Sequence, residues 1–509
     1  MPTLNLTEYR DKVYGCWLGK NIGGTLGTPF EGQRTTNDCT FYVQERTGNP
    51  LPNDDLDLQL VWLNMIERHG IYNLTPHLVG DYWASFIIGP WNEYSVAHLN
   101  VRNGFYPPLS GAVNNDHWKF SNGAWIRSEI WACMFPGNPD EAIRYAYMDS
   151  CADHCGEGIY AEMFTTARES AAFVVSDLRE LIRIGLAKVP ADSRVAASVK
   201  LVCDMYDDGK DWLDTRNAVV ELNKDLGWFQ APANVAFATL GLLYGEGDFG
   251  KSICRAVNCG DDTDCTGATA ASILGIINGR KGIPDEWLEP IGESIITCAI
   301  NKFGIPVSIP NTIGKLTARV VRCAVDAMNN NLACLRLTDA PTDVTQADID
   351  RLYGTDAAQK IWSRSPYSLQ FPLTNADLHV IYENPVVTPG VPVKVTVAIG
   401  QPLIAEGEYA LRWRLPESWT VDKPEARVCV KSWWEVGVDF TITPGTFNAA
   451  FEYPVLEVRL PDRNFPTLLS VPFQLKDSVT YIKDGDVNYR CPDRDHQIGR
   501  ITALANNAK

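Results

Sequence analysis

The sequence predicts a mainly α-helical chain that ends in an antiparallel β-sandwich, and three observations carry that expectation. Residues 1 to about 365 place apolar side chains at helical spacing, with Gly and Pro punctuating between segments. From about Leu378 the apolar pattern changes to period two. Proline becomes frequent in the same region, at Pro385, Pro389, Pro392, Pro402 and Pro416, as at strand edges and turns. The expected division is a helical domain over 1–365, a β-sandwich accessory domain over 375–475 and an unassigned polar tail over 476–509.

The helical elements follow in order. Leu56 to Arg68 carries Leu56, Leu60 and Leu63 at turn spacing. Asn122 to Met134 and Asp140 to Asp149 continue the pattern. Ala161 to Leu186 reads as one long Ala-rich helix, followed by Val235 to Tyr244, Asp285 to Ile300 and Thr312 to Met328. The strands are His379 to Tyr382, Val393 to Ile399, Tyr409 to Leu415, Val428 to Val430 and Phe440 to Ile442. Short strands with regular turn signals indicate a sandwich of immunoglobulin type. Of Trp433 and Trp434, adjacent on a strand, one is expected in the core because neighbours point to opposite faces.

Composition narrows the function. The 509 residues are 45% hydrophobic, 10% aromatic and 21% charged, a globular balance that excludes disorder and low-complexity architecture. With no apolar run near the ~20 residues of a membrane span and a polar start, MPTLNLTEYR, the chain is expected to be soluble and cytoplasmic, without a membrane partner. A net charge of −17 repels phosphate backbones, so nucleic acid is not an expected partner. The 14 cysteines lack C-x-x-C spacing and are expected to be reduced structural thiols.

Two acidic clusters stand out, Pro52-Asn53-Asp54-Asp55-Leu56-Asp57 and Asp261-Asp262-Thr263-Asp264, each opening a helix. Acidic residues in a first turn meet free N–H groups and the positive end of the helix dipole. Several within four residues exceed what one cap requires, and their repulsion must be relieved. Two such helix ends converging on a cation would relieve it. Carboxylate, amide and hydroxyl oxygens suit Mg²⁺, Mn²⁺ or Ca²⁺, and none of the seven histidines joins either cluster. Asp57 faces either the ion or solvent, solvent being the expected side, and Asp261 either positions ligands or faces substrate.

Gly15-Cys16-Trp17-Leu18-Gly19-Lys20-Asn21-Ile22-Gly23-Gly24-Thr25-Leu26-Gly27-Thr28-Pro29-Phe30-Glu31 follows, without a gap, a pattern of the ADP-ribosylglycohydrolases. That family includes the ADP-ribosylarginine hydrolases and the bacterial glycohydrolase that reactivates dinitrogenase reductase. Asn53-Asp54-Asp55-Leu56 resembles its T-D-D-T, and Asn122-Gly123-Ala124-Trp125-Ile126-Arg127 its N-G-x-x-x-R. His154 resembles the histidine that follows, and Gly260-Asp261-Asp262-Thr263-Asp264-Cys265 the G-D-T-D-T signature. Order and approximate spacing of all five elements agree over about residues 8 to 330.

The resemblance implies an all-α fold with a Mg²⁺ site of two ions between helices, Mn²⁺ being the alternative. The implied reaction cleaves the bond at the anomeric carbon of an ADP-ribosyl ribose, on a small molecule or an ADP-ribosylated protein. It makes Asn53, Asp54, Asp55, Asp262 and Asp264 metal ligands, and Glu31 or Asp55 the base that takes a proton from water. Asn122, Gly123, His154 and Asp261 become substrate-facing candidates. Each has a structural alternative: Asn122 caps a helix, Gly123 permits close packing, and His154 makes an internal hydrogen bond. Arg127 either meets phosphate or forms an internal ion pair. Gly23 and Gly27 either approach a ligand or permit tight helix packing.

Four positions depart from the family pattern: Gly24 stands for Asp, Asn53 for Thr or Ser, Leu56 for a polar residue and Cys265 for Thr. A thiol is a poor Mg²⁺ ligand, so that position holds an ion weakly, borrows Thr266 or prefers another metal. These changes bear on ADP-ribose specificity more than on metal-assisted glycosidic chemistry. Another furanoside, or a silent nucleotide- or sugar-binding module, is the alternative function.

Overall fold

The computed structural model of the chain describes residues 1–479 except 46, 90, 303, 306, 307, 330–334, 375, 401–405, 432, 433 and 462. Most of the expected tail over 476–509 lies outside the described residues, as does Trp433. Trp434 is solvent-exposed.

The helical part begins with Leu6–Gly27, capped by Asn5, whose side chain accepts from the amides of Thr7 and Glu8. It packs along Thr263–Asn278 through small residues. A methyl group on Gly15, Gly19, Gly23 or Gly27 would stand 2.2–2.4 Å from the carbonyl oxygen of Gly275, Ala271, Gly267 or Thr263 respectively. The descending partner numbers show that the two helices run antiparallel. Gly23 and Gly27 therefore serve helix packing rather than ligand approach. The same contact brings the C-terminal end of the first helix beside the acidic start of the second, and Thr263 Oγ1 donates to the Gly27 carbonyl at 2.8 Å.

Asp54–His69, Pro139–Ser150, Ala231–Tyr244 and Ile313–Met328 match expected helices to within a few residues. Three segments differ. The long helix expected over Ala161 to Leu186 is two, Glu157–Ala172 and Leu178–Leu186. β-Branched Val174 and Val175 lie in the break, and Asp177 caps the second helix by accepting from the Glu180 amide. The helix expected over Asp285 to Ile300 stops at Leu288, because Pro290 cannot continue it and Gly292 takes a positive φ of 63°. In place of a helix from Asn122, a 3₁₀ turn Trp125–Arg127 precedes Glu129–Met134.

Among the described residues of the C-terminal part, a five-stranded and a four-stranded antiparallel sheet face one another. The first holds Asp377–Tyr382, Val393–Gly400 and Glu435–Thr443, and the second holds Gly407–Arg414, Glu425–Val430 and Val455–Arg459. Val380, Val397 and Phe440 from one sheet and Leu411, Leu456 and Val458 from the other share one apolar core, as period-two strands require. Phe105, Leu109 and Val113 of the helical part join that core. Asn114 Nδ2 also donates to Gln474 Oε1 at 2.7 Å. Among the described residues, no helix is long and apolar enough to cross a membrane, and twelve cysteines are free thiols.

Candidate functional site

The antiparallel pair of helices builds one wall of a cleft. After Gly27 the chain turns through Thr28–Phe30 and presents Glu31. The following backbone is tied to the second acidic loop, Gly32 N donating to Asp261 O at 2.9 Å and Asp261 N to Gln33 O at 2.8 Å. One carboxylate oxygen each from Glu31, Asp262 and Asp264 lies within 4.8 Å of the others. They line a cavity of about 210 Å³ together with Asp54, Trp91, Glu93, Tyr94, Asn122, Gly123, Phe229 and Cys265.

The two expected acidic helix ends therefore meet. Asn53 caps its helix by accepting from the Asp55 amide at 2.7 Å, and its Nδ2 lies 3.4 Å from Asp264 Oδ2. A side chain on Gly24 would strike that amide group, at 2.4 Å, so Gly24 and Asn53 fit each other where the family pattern has Asp and Thr. Asp54 accepts from Tyr94 Oη at 3.3 Å, and burial together with Asp264 pushes its carboxyl up to about 6. Asp262, buried beside Asp264 and Glu31, is raised well above the usual carboxylate range.

Asp55 is only 1% exposed and does not line the cavity. Its Oδ2 pairs with Lys20 Nζ at 3.3 Å, and its Oδ1 accepts from Cys265 Sγ at 3.4 Å. Burial raises its carboxyl well above the usual range against the opposing pull of Lys20. Asp57 is a correction: it is fully buried rather than solvent-facing, its Oδ2 accepting from the amides of Cys298 at 2.5 Å and Ala299 at 2.6 Å. The loop that replaces the expected helix after Leu288 supplies those amides.

Asn122 Nδ2 donates to Asp262 Oδ2 at 2.7 Å while its Oδ1 accepts from Trp125 Nε1 at 2.9 Å. Asn122 thus orients an acid rather than capping a helix. Gly123 N donates to Glu93 Oε1 at 3.2 Å, and a methyl group at Gly123 would come within 2.3 Å of that oxygen. Arg127 is fully buried, pairing with Asp149 at 2.8 Å and Asp153 at 2.6 Å, so the internal ion pair is what forms. His154 is 1% exposed and does not line the cavity; its ring lies 2.7 Å from Asp153 and 3.1 Å from Ser121 Oγ. Asp261, at φ 67°, turns its carboxylate to Phe229 N and Asn234 Nδ2, both at 3.1 Å, away from the cleft lining. Thr266 Oγ1 donates to Thr263 O at 3.2 Å, so it is not lent to the acidic cluster.

Glu93, Tyr94 and Lys20 were not among the residues expected at the site. Nothing local distinguishes Glu93 and Tyr94 in the sequence. Lys20 does carry a signal, as the one charged residue between Lys12 and Glu31. The set Glu31, Asp262 and Asp264 fits a hard divalent cation, because all three donors are carboxylate oxygens and Asp264 Oδ1 is buried with no hydrogen-bond partner.

The ADP-ribosylglycohydrolase family model matches residues 5–315, more than half of the chain. An uncharacterized protein of Archaeoglobus fulgidus is 26% identical over 302 residues, which is 56% of this chain and 92% of that protein. A solved structure described as an ADP-ribosylglycohydrolase-related protein complex is 18% identical with a TM-score of 0.44, covering 62% of this chain and 99% of its own. A FixG-related protein from Vibrio parahaemolyticus is 14% identical with a TM-score of 0.18, covering 20% of this chain and 99% of its own. The glycine-spaced helix that delivers Glu31 and the acidic start of its partner helix both fall inside the matched span, and the chain belongs to the ADP-ribosylglycohydrolase family.

Proposed function

We propose that the chain is a Mg²⁺- or Mn²⁺-dependent glycohydrolase that cleaves the anomeric bond of an ADP-ribosyl or related ribosyl conjugate. The observation that carries this reading is the convergence of Glu31, Asp262 and Asp264 on one wall of the cleft. These three, with Asp54 beside them, would hold the cation, which supplies Lewis-acid polarisation and a template for sugar hydroxyls. The cavity of about 210 Å³ is small beside the 300–1,000 Å³ typical of drug-sized ligands, so it suits one sugar ring with the remainder of the conjugate outside.

Of the two carboxylates offered as base, Glu31 lines the cleft and Asp55 is turned to Lys20, which favours Glu31. Glu31 takes a proton from water as it attacks the anomeric carbon through an oxocarbenium-like state. Glu93, pushed up to about 6 by burial, holds a proton for the departing oxygen in mildly acid solution. Trp91, Tyr94 and Phe229 supply apolar faces against the sugar.

A second reading, a non-nucleotide furanoside, is favoured by the charge of the lining. Among the described residues no lysine or arginine lines the cavity, and Arg127 is committed to Asp149 and Asp153. A diphosphate drawn into the cavity would find no cationic side chain there, whereas a lone pentose ring needs none. Calorimetric titration of ADP-ribose into Mg²⁺-loaded protein, repeated after chelation, separates the two. Metal-dependent binding supports the ADP-ribosyl reading. Absence of binding with the metal demonstrably present moves the substrate to a pentofuranoside, to be tested as a panel.

A further inference from the structure

We infer that this chain's centre holds a single divalent cation, because the ammonium of Lys20 fills the role of a second one at Asp55. The inference rests on the metal-centre reading above and departs from the two-ion arrangement that the family resemblance implies. Two groups of potential ligand atoms share Asp264: Glu31, Asp262 and Asp264 on one side, and Asp55, Asp264 and Cys265 on the other. They differ in chemistry. The first is all carboxylate and all three of its members line the cleft, whereas Asp55 of the second does not. Among the described residues, neither Asp262 nor Asp264 has a lysine or arginine in an ion pair, and their side-chain donors Asn122 and Asn53 are neutral amides.

The second group already has its positive charge. Lys20 is 2% exposed and is held at three points: Asp55 Oδ2 at 3.3 Å, Glu129 Oε1 at 2.9 Å and the Ile126 carbonyl at 2.5 Å. Glu129 is fixed in turn by Gln59 Nε2 at 2.8 Å. A caged ammonium cannot swing away to admit a cation, and a divalent ion at Asp55 would meet it as a like charge in a dry interior. The remaining ligand, Cys265 Sγ, is a soft donor that a hard ion disfavours and that already points to Asp55 Oδ1. Asp55 is thereby a positioning residue, linking Lys20 to the helix start that carries Asp54.

The test is the Mn²⁺ stoichiometry of the intact chain, measured by equilibrium dialysis with elemental analysis and by electron paramagnetic resonance. One Mn²⁺ per chain at saturation, with the six-line spectrum of an isolated ion, is the expected result. Two ions, or an exchange-coupled spectrum, would overturn the inference and leave the metal-centre reading standing. No bound Mn²⁺ would overturn both. In the Lys20→Met, Cys265→Thr double variant the stoichiometry is expected to rise from one to two. A folded double variant that still binds one ion would remove Lys20 as the cause.

Discussion

Asn122 Nδ2 donates to Asp262 Oδ2 at 2.7 Å across 140 residues of chain, and in doing so fixes which oxygen of Asp262 is left for the cleft. Its Oδ1 is engaged by Trp125 Nε1, which sets the amide the right way round. Partners that orient a metal-ligating carboxylate are worth about 10–100-fold in metal affinity. Asn122→Ala is therefore expected to weaken Mn²⁺ binding by that factor while the far-UV circular dichroism stays unchanged. Unaltered affinity in a Mn²⁺ titration would mean that Asp262 does not hold the ion.

Asp264 belongs to both groups of ligand atoms and carries the buried, unpartnered oxygen. Asp264→Ala is expected to abolish Mn²⁺ binding and turnover together, with the helical fold intact, since the side chain supports no ion pair in the apolar core. Turnover with Mg²⁺ at the wild-type rate would remove the second acidic cluster from the centre.

Glu31→Gln keeps the shape and an oxygen donor for the cation but removes the base, so kcat and KM are compared at saturating Mn²⁺. General-base catalysis contributes about 10²–10⁴-fold, so kcat is expected to fall by at least two orders of magnitude while KM changes little. Equal losses in kcat and in substrate affinity would recast Glu31 as a binding residue.

The convergence of the two acidic helix ends is legible in the sequence because both clusters open helices and hold more carboxylates than a cap requires, whereas the glycine spacing of the first helix leaves ligand approach and close packing both open. What stayed hidden depends on contacts between distant segments. Lys20 was visible as a charge in an apolar run, yet Asp55 and Glu129 had to be in place before its role could be read. The burial of Asp57 is not legible locally, because the amides that bind it come from a stretch that reads as helical, where Pro290 and Gly292 decide otherwise. Arg127 and His154 carry functional residue types, but Asp149 and Asp153 draw them into the interior.

Helix spacing also positions the site. A methyl group at Gly23 would stand 2.2 Å from the Gly267 carbonyl oxygen, so Gly23→Ala must push the two helices apart. Overpacking of this kind costs on the order of 3 kcal/mol, and here it also separates Glu31 from Asp262 and Asp264. Lower unfolding midpoints and weaker Mn²⁺ binding are expected together. Gly314 has open space around it, so Gly314→Ala serves as the control and is expected to stabilise by about 0.4–1 kcal/mol. Equal behaviour of the two variants in urea unfolding would show that the close approach is not what sets the spacing.

Asp57 makes a pH-dependent contribution whose sign follows from its surroundings. Burial raises its carboxyl to about 7, against the lowering effect of the Ala299 and Cys298 amides, and its Oδ1 has no hydrogen-bond partner. The folded state therefore binds this proton more tightly than the unfolded chain, where the carboxyl titrates near its ordinary ~3.9. Stability from this source is complete below about pH 4 and is lost as pH rises through 7, amounting to a few kcal/mol at most. Asn in its place keeps a neutral acceptor for both amides and has no proton to lose. The stability of Asp57→Asn relative to wild type, measured by urea unfolding with chelator present, is expected to increase between pH 5 and pH 8. A wild-type advantage that grows with pH would show instead that the ionised carboxylate, held by the two amides, is the stabilising form.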